Sequence, residues 1–204
     1  MLCMVTALVA FLAAPVLGLP VQAPIPGYGV EDIVWGVDVY GNGTIVNITG
    51  TVQNVLSHLN EHNPALVKKI LASHPNASDH HEEKAQRIRC IDKMDPAQNI
   101  FGWDVAGPKW IHDGAKYLQG VGGQPTNGPG PGNCGRVSCE YHSAIWWCND
   151  NNKPITLPSF STIGYCATNA CDLCPDSWSP DRCLGQGFDT DGWNCIVRRD
   201  EDSC

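Results

Sequence analysis

The chain has 204 residues, 13 Lys+Arg against 21 Asp+Glu, a formal charge of −8 and only 17% charged residues. That length allows one ordinary domain, or one domain with a small appendage, and seven Trp in a weakly charged chain exclude disorder by composition. The acidic balance excludes the clustered Lys/Arg footprint that displaces counterions from phosphates, so no nucleic-acid partner is expected.

Leu2 to Leu17 form an apolar run without side-chain charge, too short for a membrane span and ending in small residues. It reads as a signal peptide over residues 1–18, closing on Val16-Leu17-Gly18, with the mature chain starting near Leu19. No later stretch is long enough to span a bilayer, and the tail Arg198-Arg199-Asp200-Glu201-Asp202-Ser203-Cys204 is no lipid-anchor signal. A secreted, extracellular, monomeric protein without a membrane span is expected.

Ile33 to Tyr40 reads as a strand, Gly41-Asn42-Gly43 as a turn, and Thr44 to Thr49 as the returning strand. Val52, Val55, Leu56 and Leu59 then fall at i, i+3, i+4 and i+7, the spacing of an amphipathic helix. Asn63-Pro64 ends it and opens a second, with Leu66, Val67, Ile70 and Leu71 on one side. Residues 19–72 are therefore expected to form a small ββαα unit without cysteine, and residues 73–87 a polar linker containing His80-His81-Glu82-Glu83. Sequons place N-glycosylation at Asn42, Asn47 and Asn76. The cysteine-free unit has the character of a removable pro-segment, but no dibasic site stands at its junction, which favours retention.

Residues 88–204 carry ten cysteines: Cys90, Cys134, Cys139, Cys148, Cys166, Cys171, Cys174, Cys183, Cys195 and Cys204. An even count in an oxidising compartment predicts up to five disulfides and leaves their pairing open. Pro108 opens a helix to Gly120 with Trp110, Ile111, Ala115 and Leu118 on one face. Gly120 to Cys134 holds six Gly and three Pro and must be a loop. Arg136–Tyr141 and Ala144–Asn149 read as strands joined by a short turn, and Leu157–Tyr165 as a helix. Cys166–Cys183 reads as a cysteine-tied loop, and Trp193–Val197 as a last strand. The expected fold class is α+β: a disulfide-rich small antiparallel sheet with helices packed on one side, preceded by the ββαα unit.

Five places invite a chemical reading. His58-Leu59-Asn60-Glu61-His62 matches the H-x-x-E-H signature of inverted zinc proteases, yet the apolar stripe of its helix puts both His on the solvated flank, so no catalytic metal is expected. Cys171-Asp172-Leu173-Cys174 is a C-x-x-C, read here as structural disulfides because no second C-x-x-C or βαβ context accompanies it. The Gly-rich loop lacks the G-K-[ST] ending and the spacing that cradle phosphate, and no cofactor is expected. Glu140 and His142 could face one way as an acid/base pair, with Arg136 or His112 completing a small hydrolase acting on RNA or glycan. Trp146-Trp147 puts one indole on each face of its strand, one packing on the helix through Trp110 and the other either buried or exposed as a stacking platform for a sugar or partner protein.

The run Cys134-Gly135-Arg136-Val137-Ser138-Cys139 followed by Ala144-Ile145-Trp146-Trp147-Cys148-Asn149-Asp150 resembles small secreted cysteine-rich proteins of filamentous fungi. Gly128-Pro129-Gly130-Pro131-Gly132, Gly185-Gln186, Trp193-Asn194 and Ile196-Val197 extend the likeness over about residues 88–204. The resemblance implies an effector-like or killer-toxin-like α+β protein and supplies no catalytic residues. The expected function is action on a host or competing organism without catalysis, through a host or competitor protein or cell-wall glycan. The expected recognition surface is the Gly120–Cys134 loop with the adjacent hairpin, using Arg136, Trp146 or Trp147. The alternatives are the Glu140/His142 hydrolase and a carbohydrate-binding module.

Overall fold

The computed structural model describes residues 21–72, 87–202 and 204; the signal-peptide reading, most of the linker, and Asn76 lie outside these residues. Three short or medium strands, β1 (Gly29–Val30), β2 (Val34–Asp38) and β3 (Ile45–Thr49), come first, then helices α1 (Val52–His62) and α2 (Pro64–Ala72). β4 (Arg87–Cys90) leads to α3 (Pro108–Gly120), β5 (Thr126–Asn127), and the hairpin β6 (Asn133–Glu140) and β7 (Ser143–Asn149). The chain ends with β8 (Ile155–Thr156), α4 (Ser161–Asp172), β9 (Gly185–Phe188) and β10 (Trp193–Arg199). The architecture is a disulfide-rich α+β fold.

A six-stranded sheet in the order β1-β6-β7-β10-β9-β4 forms the centre, antiparallel except where β1 runs parallel to β6. Period 2 sorts its side chains. Ile145 and Trp147 of β7 and Cys195 and Val197 of β10 face a core shared with α3 and α4. Ala144, Trp146 and Cys148, with Ile196, face the other way, onto Ile25, Ile91 and Trp103 from irregular chain. One side of the sheet is therefore helical and the other is closed by loops. α3 and α4 approach closely because Gly164 leaves room: a Cβ there would sit 2.7 Å from the Ala115 carbonyl oxygen.

The cysteine-free segment does not have a core of its own. Ile33, Trp35, Val37, Val52, Val55, Leu59 and Ile70 belong to the same buried cluster as Ile111, Leu118, Phe160 and Val197. Gln53 of α1 ties it to the open edge of β6, donating from Nε2 to Ser138 Oγ (2.8 Å) while its Oε1 accepts from the Cys139 amide (3.3 Å).

Three expectations need correction. The helix expected at Leu157–Tyr165 starts at Ser161 and runs to Asp172, so the first third of the supposed cysteine loop is helical. Ile163, Gly164, Cys166, Ala167, Ala170 and Cys171 are its buried positions, at helical spacing once cysteines count as small apolar residues. β1, β4 and β9 were not expected as strands, yet they supply both edges and one interior position of the sheet. Trp110 does not carry the α3 core; Ile111, Gly114, Ala115 and Leu118 do, and Trp110 lies one residue around the helix from them, half-buried.

All ten cysteines of residues 88–204 pair: Cys90–Cys174, Cys134–Cys148, Cys139–Cys204, Cys166–Cys195 and Cys171–Cys183. The C-x-x-C thus contributes its two sulfurs to two different bridges. Cys134–Cys148 joins directly opposed residues of the β6–β7 ladder, and Cys166–Cys195 pins α4 to the sheet.

Candidate functional site

The β6–β7 hairpin turns through only two residues, Tyr141 (φ 46°) and His142 (φ 62°), both in the left-handed region that two-residue hairpins require and glycine or asparagine usually fills. Tyr141 is 68% exposed and lies flat on Trp110, with ring centroids 4.0 Å apart and planes 19° apart. The Lys109 ammonium sits 3.9 Å from the Trp110 ring centroid and also donates to Asp113 (2.6 Å). That hydrogen bond to Asp113 raises the Lys109 pKa above its ordinary value, so the cation stays charged. The Gly107 amide donates to Ser143 Oγ (3.0 Å) and locks the start of α3 against the base of the turn. A cation and two stacked aromatic rings are thus presented together at the hairpin tip.

Beside this tip, at the open edge of β6, lies a cleft of about 780 Å³ lined by Thr51, Gln53, Asn54, Arg136, Glu140 and His142 among others. The three residues of the hydrolase reading meet at its rim, but their orientations diverge. A bulge between Arg136 and Ser138 shifts the strand's parity, so Arg136 is paired with Trp146 and Glu140 with Ser143, on opposite faces of the sheet. Glu140 accordingly exerts its charge on Lys109 and Tyr117 of α3; burial first, then the Asp113 and Glu140 charges, raise the Tyr117 pKa.

Arg136 is committed elsewhere. Its Nη1 donates to Asp200 (3.1 Å) and Asp202 (2.8 Å), and only 13% of its side chain is exposed. Asp200, essentially buried, also pairs with Arg198 (2.6 Å) and accepts from Trp146 Nε1 (3.0 Å). His142 is not the next residue of a strand: the turn removes it from the period of β6, and its Nδ1 lies 3.1 Å from the Asp200 carbonyl oxygen. A carbonyl oxygen only accepts, so Nδ1 is the donor of this contact. His112 is paired with Asp172 of α4 (2.7 Å), which removes it from the set.

Trp146 and Trp147 are both fully buried, Trp146 under the loop layer and Trp147 under the helices. Neither is a stacking platform. The expected recognition surface also divides. The Gly120–Cys134 loop is anchored at the open end of the hairpin, where the Glu31 carboxylate accepts from the Gly128 amide (2.7 Å) and Asn149 Nδ2 donates to the Gly128 carbonyl (2.7 Å). The Tyr141 tip is at the other end. The Trp110–Tyr141 stack had no sequence signal, since the two residues come from a helix and a turn 31 positions apart.

Asn42, in the β2–β3 turn, and Asn47, on β3, are both exposed, as glycan acceptors must be. His58, Glu61 and His62 converge on the outer side of α1. Five disulfides, with no helix among the described residues long and apolar enough to cross a membrane, fit a small secreted protein. Compared with family models, with curated proteins and with solved structures, the chain matches none.

Proposed function

We propose that this is a secreted effector-like or toxin-like protein that acts on a host or competing organism by binding a partner, without catalysis. The observation that carries the reading is the tip of the β6–β7 hairpin, where an exposed Tyr141 is stacked on Trp110 beside the Lys109 cation. Rigid aromatic rings next to a positive charge are the composition of an interface anchor. The five bridges add resistance to unfolding, each worth ~2–4 kcal/mol, which suits a protein exposed to extracellular proteases.

One observation favours a second reading, a small hydrolase: the cleft beside the tip is lined by both Glu140 and His142. The cation that the sequence offered this reading is committed, because Arg136 is shared between two aspartates and cannot also neutralise a phosphate.

Purified protein applied to host tissue, and incubated with RNA and glycan substrates, separates the two. The tissue response is expected to persist in Glu140→Gln/His142→Ala and to fall in Trp110→Ala and Tyr141→Ala variants whose thermal unfolding is preserved. Substrate turnover by the parent protein that disappears in Glu140→Gln/His142→Ala would overturn the binding reading.

A further inference from the structure

The hairpin-tip function makes no use of the cluster on α1. His58, Glu61 and His62 stand at i, i+3 and i+4, and the ligand atoms they offer all lie within 4.8 Å of one another. The two imidazole centroids are 4.7 Å apart. Helical spacing confines the three to an arc of about 100°. Val52, Val55 and Leu59, buried in the common core, fix the roll of the helix, so this arc is held toward solvent.

We propose that His58, Glu61 and His62 form a binding site for a divalent transition metal, Zn²⁺ in the first place, with the remaining coordination positions open to water. Two imidazoles and one carboxylate are a borderline donor set that suits zinc or copper, whereas calcium and magnesium take oxygen ligands. Metal–ligand bonds of about 2.1 Å put neighbouring ligand atoms roughly 3–3.4 Å apart, so binding draws together three atoms that already lie within 4.8 Å of one another. Two further features favour a cation here. His58 to His62 form the last turn of α1, where the free carbonyls carry the negative end of the helix dipole. The Tyr40 ring packs edge-on against His62, with centroids 5.9 Å apart, and restrains that imidazole.

The site differs from that of an H-x-x-E-H protease in its surroundings. Glu61 and His62 are exposed and His58 is half-buried, so no water-excluding cavity exists in which Glu61 would act as a base. All three residues serve as ligands, and the site binds metal without hydrolysing peptide.

Isothermal titration of Zn²⁺ into the full chain tests this, beside His58→Ala/His62→Ala, Glu61→Gln and, as a control for the other histidine pair of the sequence, His80→Ala/His81→Ala. One equivalent of Zn²⁺ is expected to bind, with no heat from Mg²⁺. Binding should vanish in His58→Ala/His62→Ala and persist in the His80→Ala/His81→Ala control. Glu61→Gln should weaken it by at least about tenfold, the loss produced even when only an outer partner of a metal ligand is removed. Far-UV circular dichroism confirms that each variant folds. No zinc uptake, uptake that survives His58→Ala/His62→Ala, or uptake lost in the control overturns the proposal.

Discussion

Trp35 and Phe160 stack face to face, with ring centroids 3.7 Å apart and planes 11° apart, both shut off from solvent. Trp35 belongs to the cysteine-free hairpin and Phe160 caps the start of α4 in the disulfide-bearing half. The Trp35 Nε1 also donates to the Gly50 carbonyl (2.7 Å), which orients the indole for the stack. Residues 21–72 are therefore an integral layer of the core, joined to the rest by packing and hydrogen bonds and by no disulfide.

This arrangement makes the cysteine-free segment and the sheet unfold together. Trp35→Ala is expected to cost about 3–5 kcal/mol, the usual loss for a buried large aromatic. Denaturant unfolding should remain a single transition when followed by tryptophan fluorescence and by circular dichroism. A protease site engineered between residues 73 and 86 should yield two fragments that co-elute from a sizing column. They should separate in denaturant without reductant. Fragments that part under native conditions would show that the segment is detachable, as a pro-segment is.

Asp200 is the second point of concentrated stability. It is a buried carboxylate serving two guanidinium groups and one indole, and Arg198 reaches it through Nη2 while its buried Nε has no acceptor among the described residues. Asp200→Asn leaves Arg198 without its counter-charge and is expected to destabilise by about 3 kcal/mol. Asp202, which also holds Arg136 but is more exposed, should cost less than about 1 kcal/mol when changed to Asn. Chemical denaturation of the oxidised protein measures both, and equal losses would contradict this ranking.

A milder effect follows from pH. Burial pushes the Asp104 carboxyl up, but the Lys93 ammonium at 2.5 Å, the Val105 amide and the Arg199 charge outweigh it and hold the group below its ordinary value. The unfolded chain therefore binds this proton more readily than the folded one. The contribution is present above the ordinary carboxylate range, about pH 4, and is lost as pH falls through the lower folded value. Because the pair is more than a third exposed, the effect should stay below about 1 kcal/mol. Asp104→Asn should lower the neutral plateau by up to that amount and flatten the acid limb, so that the two stability profiles meet at low pH.

How much of this was legible in the sequence depended on whether side chains carried the pattern. The β2–β3 hairpin, α1, α2, α3, β6, β7 and β10 all have apolar residues at the right period, and all were expected close to where they lie. β9 was invisible because two of its four residues are glycines, and the structure explains them. A Cβ at Gly187 would meet the sulfurs of Cys166 (2.5 Å) and Cys195 (3.3 Å), so that strand gives up its side chains to let a bridge pass over it. α4 was cut short because its cysteines were counted as loop markers and not as helix core. At the site, the sequence left open whether Glu140, His142 and Arg136 converge; they line one cleft with diverging orientations. Their divergence was hidden in a single-residue bulge, and the partners of Arg136 lie 64 and 66 residues away in the acidic tail.

The turn at Tyr141 and His142 has a consequence for the kinetics of recognition. Two successive side-chain-bearing residues in left-handed conformations are held there by a seven-residue ladder on one side and by the Trp110 ring on the other. A tip fixed in this way has little freedom left to surrender when a partner docks, so association need not wait for a loop to order itself. Differences in affinity among tip variants are then set by how quickly complexes come apart, with encounter rates nearly constant.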